Sequence, residues 1–235
     1  MRSALALSLF AVTASAAASD FNFGPNPLQS DFHSIAQDIT AALDYKALGP
    51  AEAGGLTGFS VGAFGSYVPV KDKGAWQRST GQKVNEIGMV GVNATKGLPF
   101  DVDISAFYSQ VPSTDAKLFG GAVRWAVLPG GIATPAVALR ASYTKMSGEN
   151  DLRFNSKAVD VSISKGFAFL TPYAGAGYVW GTVKTDPRFL LKTEDVNKAK
   201  FFVGLRASLG FIEITPEYER VGSNNAYNLR LSLGF

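Results

Sequence analysis

The sequence contains no cysteine and a single histidine, His33. Without cysteine there can be no disulfide, no thiolate metal site and no cysteine nucleophile. His33 falls on the polar side of a predicted helix, where a solvated role is expected. Neither a Ser-His-Asp arrangement nor a His/Asp/Glu metal cluster can be placed around it. We therefore expect a protein that is not an enzyme and that has no cofactor or metal site.

Charged residues and long apolar runs are also scarce. Only 17% of the residues are charged, and the lysines and arginines behind the net charge of +3 are scattered along the chain. Without a basic patch, no nucleic-acid partner is expected. No apolar run approaches the roughly 20 residues of a membrane helix. Glycine (25 residues) and aromatic residues (12%) are abundant, which is typical of a strand-rich chain with close turns.

The first 18 residues have the pattern of a secretory signal peptide. Arg2 precedes a short apolar run over 4–12, and small residues follow at Ala14, Ala16 and Ala18. Cleavage is expected after Ala18, with Ala16 as the alternative position. The sequence therefore predicts export, with residues 1–18 removed.

Residues 19–54 form a separate N-terminal segment with one predicted helix at about 30–46. Its apolar residues recur at three- and four-residue spacing: Phe32, Ile35, Ala36, Ile39, Ala42 and Leu43. A single apolar stripe suits a position in the periplasm, along a membrane surface or inside a lumen as a plug. We expect a short periplasmic extension, with the plug as an alternative.

From residue 55 to residue 235 the hydrophobic period is two, as in β-strands. The alternation predicts an all-β chain of ten antiparallel strands, with eight or twelve strands as alternatives. The predicted strands lie at about 56–70, 86–95, 100–110, 118–128, 134–146, 154–165, 170–183, 199–210, 212–221 and 227–235.

The polar parity of these strands is made of glycine, alanine, serine and single charges. A soluble sandwich would carry many Lys and Glu residues on its water-facing side. Small residues instead suit the inside of a narrow barrel, so that the larger apolar parity faces lipid. A soluble lipocalin-like barrel, with its large side chains inside, is the alternative. Connections after odd strands are longer than those after even strands, which is typical of a transmembrane barrel.

The chain closes on the stretch YNLRLSLGF, which alternates apolar residues up to a terminal aromatic. With the leader and the alternating strands, this stretch resembles the small outer-membrane β-barrel proteins of Gram-negative bacteria. The resemblance implies an outer-membrane location and recognition of the last strand by the barrel-assembly machinery. The residues that match this signal are Tyr227, Leu229, Leu231, Leu233 and Phe235.

Four arginines fall on the inward parity, and each is predicted to have a carboxylate partner. Directly opposed residues of an antiparallel hairpin have a constant sum, centred on the tip of the loop. A guanidinium in a narrow lumen keeps its proton and needs an acceptor. The predicted lumenal groups are the pairs Asp103–Arg124, Arg140–Asp160 and Glu217–Arg230, and Arg206 with Glu213 and Glu217 as diagonal neighbours.

The long loops carry basic residues that could contact lipopolysaccharide phosphates, as well as apolar residues at Trp76 and 189–191 that could contact a partner. The basic residues are Lys71, Lys73, Arg78, Lys83, Lys184, Arg188 and Lys192. The predicted function is a narrow or gated pore for passive diffusion of small solutes. The alternative is a structural or surface-interaction protein of the outer membrane with a salt-bridge-filled, non-conducting barrel.

Overall fold

A computed structural model of the chain describes residues 23–25 and 27–234, and its strands close into one antiparallel barrel. The ten-stranded all-β barrel predicted from the alternation is confirmed. The strands are β1 (Phe59–Pro69), β2 (Glu86–Leu98), β3 (Val102–Gln110), β4 (Lys117–Leu128), β5 (Ala136–Ser147), β6 (Leu152–Ser164), β7 (Leu170–Thr185), β8 (Glu194–Leu209), β9 (Ile212–Val221) and β10 (Asn224–Gly234).

The barrel closes where β1 pairs with β10, and the large apolar side chains point outward. Tyr67 lies opposite Tyr227 in this pair, and Ser60 lies opposite Gly234. The outward residues of β10 (Tyr227, Leu229, Leu231 and Leu233) are 44–50% exposed. A lipocalin-like barrel would bury these side chains, so that alternative is wrong. Phe235 and the predicted signal peptide lie outside the described residues.

The two ends of the barrel differ in their connections. The upper rim is formed by connections 70–85, 111–116, 148–151, 186–193 and 222–223, and the lower rim by 99–101, 129–135, 165–169 and 210–211. The difference in length is less regular than predicted, because 222–223 at the upper rim is short and 129–135 at the lower rim is longer. Connection 70–85 contains an unpredicted helix, α2 (Lys73–Thr80), whose N-terminus is capped by Asp72.

The N-terminal helix α1 (Gln29–Leu43) lies inside the upper half of the barrel, so the expected periplasmic position is wrong. It contacts β1, β2, β7, β8 and β10. The chain then descends through the lumen to the lower rim, where β1 begins. We call residues 27–56 the plug segment. Because the helix is at the top, Phe23 lies at the upper rim against Phe32 and Phe189, and not at the end of the barrel where β1 starts.

Two further expectations change with the strand positions. Strand β8 begins at Glu194, so Lys200 belongs to the barrel wall and not to a basic loop. Tyr173 faces the lumen and is 3% exposed, although its aromatic ring suggested an outer girdle. Within the described ranges, helices are too short or too polar to cross a membrane.

Candidate functional site: the plugged lumen

The upper half of the lumen is an apolar core built between α1 and the barrel wall. The helix stripe Phe32, Ile35 and Ile39 is fully buried. The wall supplies apolar side chains from the inward parity, namely Val68, Met89, Leu118, Leu152, Phe154, Val179 and Val183. Interiors of this kind are packed as densely as organic crystals. The helix therefore fills the upper half of the barrel instead of lining a channel.

Polar contacts at the upper rim hold the helix to the connections. The Trp76 indole Nε1 donates to Asp38 Oδ2 at 2.9 Å. Trp76 is 1% exposed, so the expectation of an exposed partner contact at this residue is wrong. Arg78 donates two hydrogen bonds to Asp31, at 2.9 and 2.7 Å, and these bonds lower the pKa of the Asp31 carboxyl. The helix is thus fixed at its N-terminal end as well as along its apolar stripe.

His33 also joins the helix to the barrel wall. Its Nδ1 lies 2.7 Å from Glu194 Oε2, and its Nε2 lies 2.8 Å from the side-chain nitrogen of Gln37. The side chain is 53% exposed. These partners give His33 a role in attaching the helix at the upper rim, beyond the solvated position predicted for it.

A quartet of buried charges, which we call the charge quartet, lies where the helix ends. Asp44 and Lys46 come from the plug segment, and Lys200 and Glu219 come from the wall. Each ammonium lies 2.7–2.8 Å from both carboxylates, and all four side chains are at most 1% exposed. The formal charges cancel, as a buried ionic cluster requires. The sequence assigned Lys200 to a loop and gave Glu219 no partner, so this cluster was missed.

Below the quartet, two of the predicted pairs hold the descending chain. Asp103 lies opposite Arg124, and the Nη2–Oδ2 distance is 2.7 Å. Arg140 lies opposite Asp160, with bonds of 3.0 and 2.8 Å. The arginines also donate to backbone carbonyls of the plug segment, Arg140 to Ala47 and Arg124 to Pro50 and Glu52. These pairs therefore attach the plug segment as well as crossing between strands.

The predicted Glu217–Arg230 pair is wrong, because Asn228 occupies the position opposite Glu217 and Arg230 lies opposite Thr215. Glu217 accepts from the Tyr173 hydroxyl at 2.8 Å and from the Leu48 amide at 2.9 Å. Arg230 instead donates to the Asn93 and Ser60 side chains.

Arg206 has its closest carboxylate on the plug segment, where Glu52 Oε2 lies 2.8 Å from Nη2. Glu213 is more distant from both lower arginines, at 3.7 Å from Arg206 and 3.9 Å from Arg230. The plug segment therefore supplies an acceptor that strand pairing alone could not predict.

The lower half of the lumen retains a polar cavity of about 300 Å³ beside the descending chain. Arg124, Arg140, Arg206 and Arg230 all contribute to its lining. Guanidinium groups on a confined polar surface are suited to contact anions. This cavity is the part of the lumen that could hold a small solute.

The basic residues predicted on the loops lie exposed at the upper rim. Arg78 is paired with Asp31, and Arg188 is paired with Asp151. The lysines of this set, Lys71, Lys73, Lys83, Lys184 and Lys192, are exposed. Over residues 23–25 and 27–234, no group of three or more His, Cys, Asp or Glu side chains is arranged to hold a metal ion.

Solved structures similar to this chain are outer-membrane barrels, all with low sequence identity. The N-terminal β-barrel domain of Pseudomonas aeruginosa OprF is 13% identical, with a TM-score of 0.41 over 77% of this chain and 99% of that one. The outer membrane protein OprG from Pseudomonas aeruginosa is 10% identical, with a TM-score of 0.36 over 81% and 99%. Ail of Yersinia pestis is 12% identical, with a TM-score of 0.33 over 76% and 99%.

The sequence itself matches a family and no individual curated protein. The match covers residues 68–235, from the end of β1 through β10. It thus includes most of the barrel wall and leaves out the plug segment. Because the family model covers more than half of the chain, this protein belongs to the family of unknown function DUF6588.

Proposed function

We propose that this protein is an outer-membrane β-barrel that its own N-terminal segment keeps closed, and that it acts through its surfaces and not as an open pore. The outward side chains support the membrane location. Trp125 near the lower rim and Trp180 near the upper rim are 51% and 43% exposed. An apolar band between two aromatic girdles, on a barrel without free strand edges, is stable only against lipid.

The observation that carries the closed state is the complete burial of α1. Phe32, Ile35, Ile39 and Leu43 are each 0% exposed, and the charge quartet seals the level below them. Displacing the helix would expose this apolar surface and separate the buried charges. Both changes oppose spontaneous opening.

A gated pore for small solutes is the second candidate, and the lower cavity favours it. The cavity is lined by arginines, and the chain that crosses it is attached through polar groups that water could replace. In this mechanism the plug segment would leave the upper half of the lumen during a transient opening. The two candidates therefore differ in whether α1 moves.

A disulfide between α1 and the wall separates the two candidates. A Cβ added at Gly181 would lie 3.2 Å from Thr40 Cβ, close to the separation of a disulfide. The chain has no other cysteine, so Thr40→Cys with Gly181→Cys forms one defined bond. We expect planar-bilayer recordings of the wild type, the oxidised variant and the reduced variant to be equally silent. The single variant Thr40→Cys is the control for the substitution itself.

Openings in the wild type that vanish on oxidation and return on reduction would overturn the closed-barrel proposal in favour of the gated pore. Openings that persist in the oxidised variant would contradict both candidates, because conduction would then not depend on movement of α1.

The path of the plug segment also predicts which side of the membrane the start of the described chain faces. Pro25 is exposed at the upper rim, and Thr134 is exposed at the lower rim. If the upper rim faces the outside of the cell, a membrane-impermeant maleimide should label Pro25→Cys in intact cells. It should label Thr134→Cys only after the outer membrane is permeabilised. The reverse pattern would show that the barrel is inserted in the opposite orientation.

A further inference from the structure

A cluster of cations lies on the outward face of the barrel, close to the upper rim of β4, β5, β6 and β7. Its members are exposed and project on the same parity as the lipid-facing residues: Lys117, Lys145, Arg153, Lys157 and Lys184. We call this group the wall cluster. With the exception of Lys184, it is distinct from the basic loop residues, because its members belong to the rigid wall.

The strand register brings these cations together. Arg153 lies directly opposite Lys184, and Lys145 lies opposite Asn155. Residues Arg153 and Lys157 are therefore the diagonal neighbours of Lys145 on β6. Lys117, opposite Ser147, is its diagonal neighbour on β4. Directly opposed and diagonal positions in a sheet are about 5 and 7–8 Å apart, which is within reach of long side chains.

The wall cluster has no compensating acid on its own surface. The outward residues of β4 to β7, all within the described part of the chain, include no Asp or Glu. The other six strands differ, since they place the cation Arg220 near the upper rim together with the acids Glu86 and Asp195. Like charges opposite one another destabilise a sheet. An anion bound from outside the chain would offset this repulsion.

Aromatic residues lie at the same level and immediately below the cluster. Lys157 is opposite Tyr143 on one side and Trp180 on the other, and Lys145 is opposite Phe119. Further down, the outward face is apolar, with Val123, Leu139, Val159 and Val161 exposed. A ligand that fits this surface carries negative groups at the level of the girdle and acyl chains below them.

We infer that the wall cluster binds the phosphates of a phosphorylated glycolipid, the lipopolysaccharide of the outer leaflet, with its acyl chains against β4 to β7. The inference rests on the membrane location proposed above. A soluble anion would not use the apolar wall below the cations, and a neutral lipid would leave the charges unpaired. The site thus provides a specific lipid contact on one side of the barrel.

The test compares two double variants of the full chain that remove the same charge. Lys145→Gln with Lys157→Gln changes the wall cluster. Lys71→Gln with Lys83→Gln changes exposed lysines of connection 70–85 at the same rim. Binding of purified diphosphorylated lipid A to each refolded protein is titrated in neutral detergent, and dephosphorylated lipid A is the ligand control. Heat modifiability on gels verifies that each barrel is folded.

We expect the wall variant to bind diphosphorylated lipid A about tenfold or more weakly than the wild type, and the loop variant to bind within about twofold of it. Dephosphorylated lipid A should bind all three proteins equally weakly. Equal affinity of the wild type and the wall variant for diphosphorylated lipid A would overturn the inference. So would an equal loss in both variants, since the contact would then depend on net charge alone.

Flotation of the wild type with phosphatidylcholine liposomes distinguishes this failure from failure of the membrane location. A barrel that floats with these liposomes but does not distinguish the two forms of lipid A contradicts only the lipid site. A folded barrel that stays unbound to liposomes contradicts the proposed location, and the lipid site with it.

Discussion

Deleting residues 19–54 is expected to convert a silent barrel into a conducting one. The deletion removes α1 and the chain that crosses the lower lumen, while every strand-to-strand pair of the closed wall remains. Planar-bilayer recordings of the refolded variant should show stable openings where the full chain shows none. The physical reason is that no described residue of the wall itself crosses the lumen at the level that α1 fills.

The same deletion should lower the thermal stability of the barrel. The wall residues Phe154, Leu152 and Val183 lose their apolar partners and face water inside the lumen. The buried helix residues that are lost contribute about 1.5–3 kcal/mol each. We therefore expect the midpoint of heat modifiability to fall by more than about 10 °C. A variant that inserts into bilayers and remains silent would contradict the assignment of the plug segment as the closure.

Ion selectivity provides a matched control for the opened variant. In the deleted chain, Arg140 and Arg230 should line the water-filled lower half of the lumen. Substituting each with alanine should reduce the preference for anions over cations, since the fixed positive charge is lost. Lys96→Ala, on the outward parity of β2, should leave the selectivity unchanged. Identical selectivity in all of these variants would show that the current does not pass through the lumen.

The barrel was predictable from the sequence because its alternation is a local signal. In a strand, successive side chains face opposite sides, so parity alone separates the lumen from the lipid. The hairpin arithmetic worked for Arg140 and Asp160, whose strands are joined by the compact connection 148–151. It failed for Arg230 and Glu217 by one step of the same parity, because the actual turn 222–223 lies closer to β9 than the assumed loop centre.

The plug segment was harder to place, because its position depends on contacts far apart in the chain. A helix with one apolar stripe fits a lumen as well as a membrane surface. A usable signal was nevertheless present at the upper ends of the strands, where the inward parity becomes apolar. Ile87 and Met89 disturb the alternation of β2 for this reason, and both are buried on the side of α1. An apolar inward parity at one end of a barrel indicates that something apolar fills that end.

The charge quartet leads to the second large effect, a loss of stability when Glu219 is replaced by glutamine. Glu219 is the wall carboxylate that lies 2.7 Å from Lys46 and 2.8 Å from Lys200. Its loss leaves two buried ammonium groups with Asp44 as their only carboxylate in the quartet. Removing one partner of a buried ion pair costs about 3–5 kcal/mol, because the remaining charge is uncompensated. We expect Glu219→Gln to unfold at clearly lower urea concentration and to show intermittent openings in planar bilayers.

A charge-balanced double variant tests whether the uncompensated charge is the cause. Glu219→Gln combined with Lys200→Met leaves Asp44 and Lys46 as a neutral pair, at 2.7 Å. This variant should recover a large part of the stability lost in Glu219→Gln and should be silent again, although it has one more substitution. If instead the two losses simply add, the quartet acts through packing and not through charge balance. Recovery would establish that the closed state of the barrel depends on the pairing of charges between the plug segment and the wall.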